Sequence, residues 1–331
     1  MEVIKIVQIG IGPLGQKITR YIVERKNLKI VGAVDSDPSK IGKDLGELSS
    51  ISFLNVPVLK SLQESVKNNK PDVAILTTAS EIEKIAPQIE EIVSFGLPVV
   101  TTCEELAYPW QTAPSFAKQI DESAKRKKVS VLSTGVNPGF LMDSFPIALS
   151  AVCQKIDRVK VSRIQNAEFR RVPFQKKIGA GLSLDAFEKK RQEGTLRHVG
   201  LTESMHMIAN RMGWMIDKTE DILTPVIAKE KIVTKNLTIE AGFAAGVQQI
   251  GKGYVNGEEK ITLVFRAAVG ERISEDTIEI SGEPNIVSTI KGGINGDVAT
   301  CAIVINAIKQ ILKAEPGLRT MTDLPMVSYF R

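Results

Sequence analysis

The stretch Ile4-Lys5-Ile6-Val7-Gln8-Ile9-Gly10-Ile11-Gly12-Pro13-Leu14-Gly15 decides the fold. A β-branched run leads into three glycines spaced G-x-G-x-x-G, and a helical pattern over Gln16–Glu24 continues beyond them. Each glycine answers a separate need. Gly10 permits the tight turn, Gly12 lets the backbone approach a pyrophosphate, and Gly15 lets the helix pack on the strand. Gly10, Gly12, Pro13, Leu14 and Gly15 are therefore assigned to a dinucleotide, its phosphates over the free N–H groups and positive dipole end of the helix. Asp35 ends the next β-branched run, 20 residues after Gly15, and accepts hydrogen bonds there from the adenosine ribose. A carboxylate repels a 2′-phosphate, so the expected cofactor is NAD, with NADP tolerated because Lys40 softens that repulsion.

Working outward, short β-branched runs at Ile4–Ile9, Ile30–Val34, Val73–Leu76, Pro98–Thr101 and Val129–Leu132 alternate with helical patterns such as Ile82–Phe95 and Pro114–Lys127. This alternation predicts an α/β fold, a Rossmann doubly wound parallel sheet, whose ligands lie at the carboxyl ends of the strands. Two segments fall at such ends: Thr77-Thr78-Ala79, and Thr101-Thr102-Cys103-Glu104-Glu105. Thr77, Thr78, Ala79, Thr102 and Cys103 are assigned to the ribose and the nicotinamide edge. Glu104 and Glu105 are the candidate catalytic acids, because a carboxyl group shielded from water exchanges protons near neutrality. A first-turn pair favouring a helix dipole is the alternative reading of the same two acids. Asn137, in Gly135-Val136-Asn137-Pro138-Gly139-Phe140, can donate and accept at the crossover into the second half, and it joins both the cofactor and the catalytic sets.

After Phe140 the pattern changes. Long β-rich stretches at Arg158–Gln165, Leu237–Lys252, Glu259–Ala268 and Asp276–Ser281 flank a helical middle from Leu182 through Met215. These predict an α+β domain with a mixed or antiparallel sheet. The helical tail Gly296–Lys313, closed by Pro316-Gly317, is expected to pack back on the first domain. The expected division is a dinucleotide-binding domain over 1–138, completed by 292–331, and a substrate-binding and oligomerisation domain over 139–291. At 331 residues the chain exceeds the roughly 100 to 200 residues usual for one domain.

The 43 Lys and Arg against 38 Asp and Glu leave a net charge of +5, with no basic, aromatic-studded face for nucleic acid. Three scattered cysteines fit reduced thiols rather than a disulfide framework, and the two histidines lack zinc-like spacing, so no metal is expected. Neither a secretory leader nor a membrane-spanning run is apparent, and a cytoplasmic location is expected. His206 reads as a core histidine or a substrate contact within a helix, and His198 as a surface residue.

Six segments together resemble the enzymes that share the N-terminal domain of dihydrodipicolinate reductase, and within them the group of 2,4-diaminopentanoate dehydrogenase and related amine dehydrogenases. They are Gly10–Gly15, Val34-Asp35, Thr101–Leu106, Gly135–Phe140, Lys177-Ile178-Gly179-Ala180-Gly181, and Gly296–Thr300 with Pro316-Gly317-Leu318. The resemblance implies reversible oxidative deamination of an amine to a ketone and ammonia, and a homodimer. It also directs attention to Gly139, Phe140, Lys177, Gly179, Gly181 and His206 as substrate contacts, with Lys177 and the helix beginning near Ser183 holding a substrate carboxylate. The reductase itself carries a histidine pair where this chain has Glu168-Phe169-Arg170-Arg171-Val172-Pro173-Phe174-Gln175-Lys176-Lys177, which argues against that activity. A reductase acting on C=N or C=O bonds and a non-catalytic nicotinamide-binding protein are the alternatives.

Overall fold

The computed structural model describes residues 3–170, 172–196 and 198–330; Arg171, in the segment compared with the reductase, lies outside them. The chain divides into two compact units, Met1–Phe140 with Asn295–Arg331, and Leu141–Ile294.

The first unit is a doubly wound parallel sheet. Its strands are β1 (Ile4–Ile9), β2 (Leu28–Val34), β3 (Val58–Leu59), β4 (Val73–Leu76), β5 (Val99–Thr101), β6 (Ser130–Ser133) and, from the tail, β15 (Gly317–Arg319). They lie in the order β15-β6-β5-β4-β1-β2-β3, every pairing parallel. The order reverses between β1 and β4, the switch point where an open α/β sheet binds its ligand. Alternate residues feed opposite faces, as the two-residue strand period requires. Ile6, Ile75, Val100 and Leu132 pack with the helices Pro13–Val23 and Gly296–Ile311. Val7, Ala74, Val99 and Val131 pack with Ile82–Ser94 and Pro114–Arg126. The Gly296–Ile311 helix, capped by Asn295 through the N–H groups of Asp297 and Val298, seats Cys301, Val304, Ile305 and Ile308 fully in the first of these cores.

The second unit is α+β. Its strands are β7 (Lys155–Asn166), β8 (Lys218–Ile227), β9 (Ile232–Val233), β10 (Thr238–Ile239), β11 (Ala244–Val255), β12 (Glu258–Ala268), β13 (Glu275–Glu283) and β14 (Ile286–Lys291). Six form a mixed sheet, β14-β13-β7-β12-β11-β8, in which only β7 and β12 run parallel. The helical middle is two helices, Leu184–Gln192 and Leu201–Met212, because Gly194 and Gly200 interrupt it at positive φ. Leu201 and Met205 close over Gly251 of β11, where a Cβ would stand 3.2 Å from Leu201 Cδ2. Among the described residues no helix is long and apolar enough to cross a membrane.

Candidate active site

The glycine turn leaves β1 with Gly10 at φ 87° and enters a helix whose N-cap is Gly12 and whose first residue is Pro13. A Cβ on Gly15 would stand 2.0 Å from the carbonyl oxygen of Gly10, so only glycine lets the helix come this close. A Cβ on Gly12 would meet nothing within 4 Å. That open ground sits over a helix N-terminus with no side-chain cap and no acid in its first turn, which suits a phosphate. The turn is pinned from below by Gln8, buried in β1, whose Nε2 donates to Gly10 O at 3.2 Å and to Thr77 Oγ1 at 3.0 Å. Thr77 Oγ1 donates in turn to Gly10 O at 2.9 Å. Sequence reasoning missed Gln8; a lone amide within the buried, β-branched end of a central strand is the signal for it.

A cavity of about 600 Å³ opens above this turn, walled by Gly10, Gly12, Asp35, Thr77 and Thr78 together with Lys40 and Lys60. Asp35, 9 % exposed, accepts from Ile11 N–H at 2.6 Å, from Asp37 N–H at 2.9 Å and from the Lys40 ammonium at 3.0 Å. Burial pushes its carboxyl upward, but these donors outweigh burial and hold it below the usual carboxylate range. Asp35 is thus ionised at neutral pH, as a ribose acceptor must be. Pro13, Leu14, Ala79, Thr102 and Cys103 are not part of this cavity's wall.

Thr102 through Glu105 follow β5, at its carboxyl end. Cys103 is fully buried, its thiol 3.1 Å from Ser80 O and pushed up to about 12, chiefly by burial. It anchors the loop, as does its backbone, whose N–H donates to Thr101 Oγ1 at 3.3 Å and whose carbonyl oxygen accepts from Leu106 N–H at 3.1 Å. The adjacent acids part company. Glu105 Oε2 accepts from Ile82 N–H at 2.8 Å, capping the Ile82–Ser94 helix, whose own N-cap residue Glu81 makes no side-chain cap. Glu104, one residue earlier in the single turn Glu104–Leu106, is half-buried beside it. Asn137 follows β6, 7 % exposed, with Oδ1 buried and without a hydrogen-bond partner among the described residues. Gly139 is needed for packing: at φ 124° a Cβ there would stand 2.5 Å from Gly135 N. Phe140 lies against the core of the first unit.

In the second unit, Lys177 is exposed at the end of the short helix Val172–Lys177. The Gly179-Ala180-Gly181 turn is tied down, because its three N–H groups donate to Lys176 O, Gln175 O and Ala244 O at 3.1, 3.1 and 2.8 Å. Ser183 caps the next helix with its own hydroxyl, which accepts from Ala186 N–H at 3.2 Å. The three N–H groups of the turn are thus engaged within the protein, and the exposed cation of this motif is the Lys177 ammonium. His206 is half-buried on the Leu201–Met212 helix, and burial lowers its pKa.

His198 is not a surface residue. Its ring packs on Phe265 with centroids 4.6 Å apart, and its backbone is clamped by Gln249, which accepts from His198 N–H at 2.6 Å and donates to His198 O at 3.2 Å. Burial, with smaller contributions from the charges of Lys177 and Arg163, lowers its pKa from 6.5 to about 3. The unfolded state therefore takes up a proton below pH 6.5 that the folded state refuses until about pH 3. Stability should fall with pH across that window, by about 1.4 kcal/mol per unit at most, and His198→Gln should flatten this slope in denaturant titrations. An unchanged slope would assign the acid sensitivity elsewhere.

The sheet order, the glycine turn with Asp35, and the acids beyond β5 define a dinucleotide-dependent oxidoreductase with a dihydrodipicolinate reductase-like first unit. Residues 4–103 match the model of the dihydrodipicolinate reductase N-terminus. Residues 140–330, more than half of the chain, match that of the 2,4-diaminopentanoate dehydrogenase C-terminal domain. The chain belongs to the 2,4-diaminopentanoate dehydrogenase family. It is 32 % identical to the 2,4-diaminopentanoate dehydrogenase of Acetoanaerobium sticklandii, over 98 % of this chain and 94 % of that one. It is 21 % identical to an amine dehydrogenase of Streptomyces virginiae, over 96 % and 95 %. In structure it superposes on the amine dehydrogenase of Mycobacterium smegmatis with a TM-score of 0.86 at 22 % identity, covering 99 % and 97 % of the two chains.

Proposed function

We propose that this chain carries out the nicotinamide-dependent, reversible oxidative deamination of 2,4-diaminopentanoate or a closely similar short amine. The observation that carries the mechanism is the place of Glu104, half-buried in the single turn that follows β5, at the carboxyl end of the sheet where an open α/β fold holds its ligand. In the deaminating direction an ammonium substrate, the oxidised dinucleotide and water give a ketone, ammonium, the reduced dinucleotide and one proton. A bound dinucleotide supplies the acceptor for the two electrons leaving the amine-bearing carbon. Glu104 removes a proton from the substrate ammonium, freeing the nitrogen lone pair that drives those electrons out. After giving that proton up to solvent, it takes one from the water that adds to the C=N carbon, returns it to the nitrogen, and passes the hydroxyl proton of the adduct to the departing ammonia as the ketone forms. Asn137 orients the nitrogen from the neighbouring strand end.

In this reading the first unit holds the cofactor. The Gly10–Gly15 turn takes the pyrophosphate, Asp35 the adenosine ribose, and Thr77, Thr78, Ala79, Thr102 and Cys103 the other ribose and the nicotinamide edge. The second unit supplies Lys177 for a substrate carboxylate and His206 for the substrate body, and pairs with its copy in a homodimer. The reading predicts NADH oxidation that requires ammonia when 2-amino-4-oxopentanoate, 4-oxopentanoate or small ketones are offered. Oxidation at the same rate in ammonia-free buffer would instead identify a C=N or C=O reductase.

A further inference from the structure

The loop after β7 and the tip of the β9–β10 hairpin enclose a second cavity, of about 290 Å³, within the second unit. Its wall carries charges of both signs: Glu168 and Arg170 from the loop and Lys235 from the hairpin, with Phe169 and Asn236 beside them. Both sides are held stiffly. Gln175, 1 % exposed, gathers the loop by donating from Nε2 to the carbonyl oxygens of Ala167, Glu168 and Arg170 at 2.9, 2.9 and 3.2 Å, and Asn166 Oδ1 accepts from Glu168 N–H at 2.9 Å. The Arg170 guanidinium is set over the Phe174 ring, 4.1 Å from its centroid, and its Nη1 donates to Gln165 Oε1 at 3.0 Å. On the other side, Thr234 Oγ1 accepts from the N–H groups of Asn236 and Leu237 at 3.3 and 3.1 Å, which fixes the tip that carries Lys235. Although they share this cavity, the Glu168 carboxylate and the Lys235 ammonium pair neither with each other nor with any other described residue.

We propose that this cavity receives the α-amino-acid head group of the substrate, the end that does not react, with the carboxylate on Arg170 and Lys235 and the α-ammonium on Glu168. The inference rests on the deamination reading above and narrows it, from short amines in general to amines that carry a distal amino-acid head. Such a head presents a carboxylate and an ammonium on one carbon, so its receptor needs a cation and an anion held apart by the width of the ligand. A guanidinium meets the two carboxylate oxygens side by side, a lysine adds a point charge, and the Asn236 amide adds a neutral donor. Glu168 breaks no ion pair within the protein when it takes up the ammonium. A simple amine offers neither charge, and its binding would leave these groups without partners, the penalty by which polar sites reject analogues. Phe169, 86 % exposed, lines the same cavity and offers an apolar face to the aliphatic part of the ligand. Lys177, at the end of the helix Val172–Lys177, does not line the cavity; its exposed ammonium draws the same carboxylate in at longer range.

The test compares amines that share the reacting carbon and its methyl group: 2,4-diaminopentanoate, 4-aminopentanoate, which lacks the α-ammonium, and 2-aminopentane, which lacks both charges. Their kcat/KM values are measured with the full chain as wild type, Glu168→Gln, Lys235→Ala and Lys235→Arg. Wild type should prefer them in that order, by about tenfold or more at each step. Glu168→Gln should reduce the ratio of the first to the second about tenfold; Lys235→Ala should reduce the ratio of the second to the third about fivefold, and Lys235→Arg should restore it. Because each readout is a ratio between substrates, a loss of fold or of catalytic geometry, which slows all of them alike, does not imitate it. Wild-type ratios near one, or variants that keep the wild-type ratios, overturn the proposal while leaving the enzyme reading intact. A wild type that deaminates none of these amines overturns both.

Discussion

Glu104→Gln should abolish most turnover, lowering kcat by about 10²- to 10⁴-fold, the range spanned by a positioned acid–base group, while leaving dinucleotide affinity unchanged. Glutamine keeps the size and polarity of the side chain but cannot exchange the proton, so the loss would be chemical rather than structural. Glu105→Ala supplies the contrast. It removes the acceptor for Ile82 N–H and uncaps the Ile82–Ser94 helix, which should cost about 1 kcal/mol of stability and leave most of the turnover. Steady-state kinetics with thermal melts of both variants separates the two roles. Should Glu105→Ala lose turnover while Glu104→Gln retains it, the roles are reversed; if both retain it, proton transfer belongs to another group.

The second large effect is on folding and lies in the other unit. Arg163 of β7 and Asp276 of β13 are 2 % and 1 % exposed, with Arg163 Nε 3.5 Å from Asp276 Oδ1. Asp276 Oδ2 accepts from Ile294 N–H at 2.7 Å, and Arg163 Nη2 donates to Ile294 O. Burial pulls the guanidinium down to about 10 against the raising influence of Asp276, so it remains a cation at neutral pH; burial pushes Asp276 up against the lowering influence of Arg163. Asp276→Ala would strand that cation and should cost about 3–5 kcal/mol of unfolding free energy. Arg163→Met combined with Asp276→Leu removes both charges and should recover most of the loss, because desolvation then has nothing to act on. A shift of the denaturation midpoint in the single variant, relieved in the double, is the expected pattern. Equal shifts in the two would mean that the pair acts through shape rather than charge.

What could be read from the chain follows the range of each interaction. The strand, the glycine turn and Asp35 were legible because their requirements are local: a positive φ, a missing Cβ, an acid at the end of the next strand. The two-residue β3 and the three-residue β15 were not, since neither is long enough to show a period; they are strands because β2 and β6 offer them an edge. Lys218–Ile227 carries charges and Pro225 and showed no alternation, yet it pairs along its length with β11 as an edge strand, where proline is tolerated. Both acids after Thr102 could be placed at a strand end, but what separates them is Ile82 N–H, 23 residues away. His198 read as a surface residue, while its ring packs on Phe265 from a strand far along the chain, a contact that no local pattern announces.

The closing of the first sheet by β15 bears on biosynthesis. Residues up to Phe140 leave the ribosome long before Gly296–Ile311 and Gly317–Arg319, yet that late helix fills one face of the sheet and that late strand covers the edge of β6. Until they emerge, Ile6, Ile75, Val100 and Leu132 lack part of their cover and β6 presents an open edge, the kind of surface to which other chains adhere. The usual vectorial order, in which the N-terminal module matures first, is therefore blocked here. The middle unit can acquire its structure while the nascent N-terminal sheet waits, half-built, for the tail that completes it.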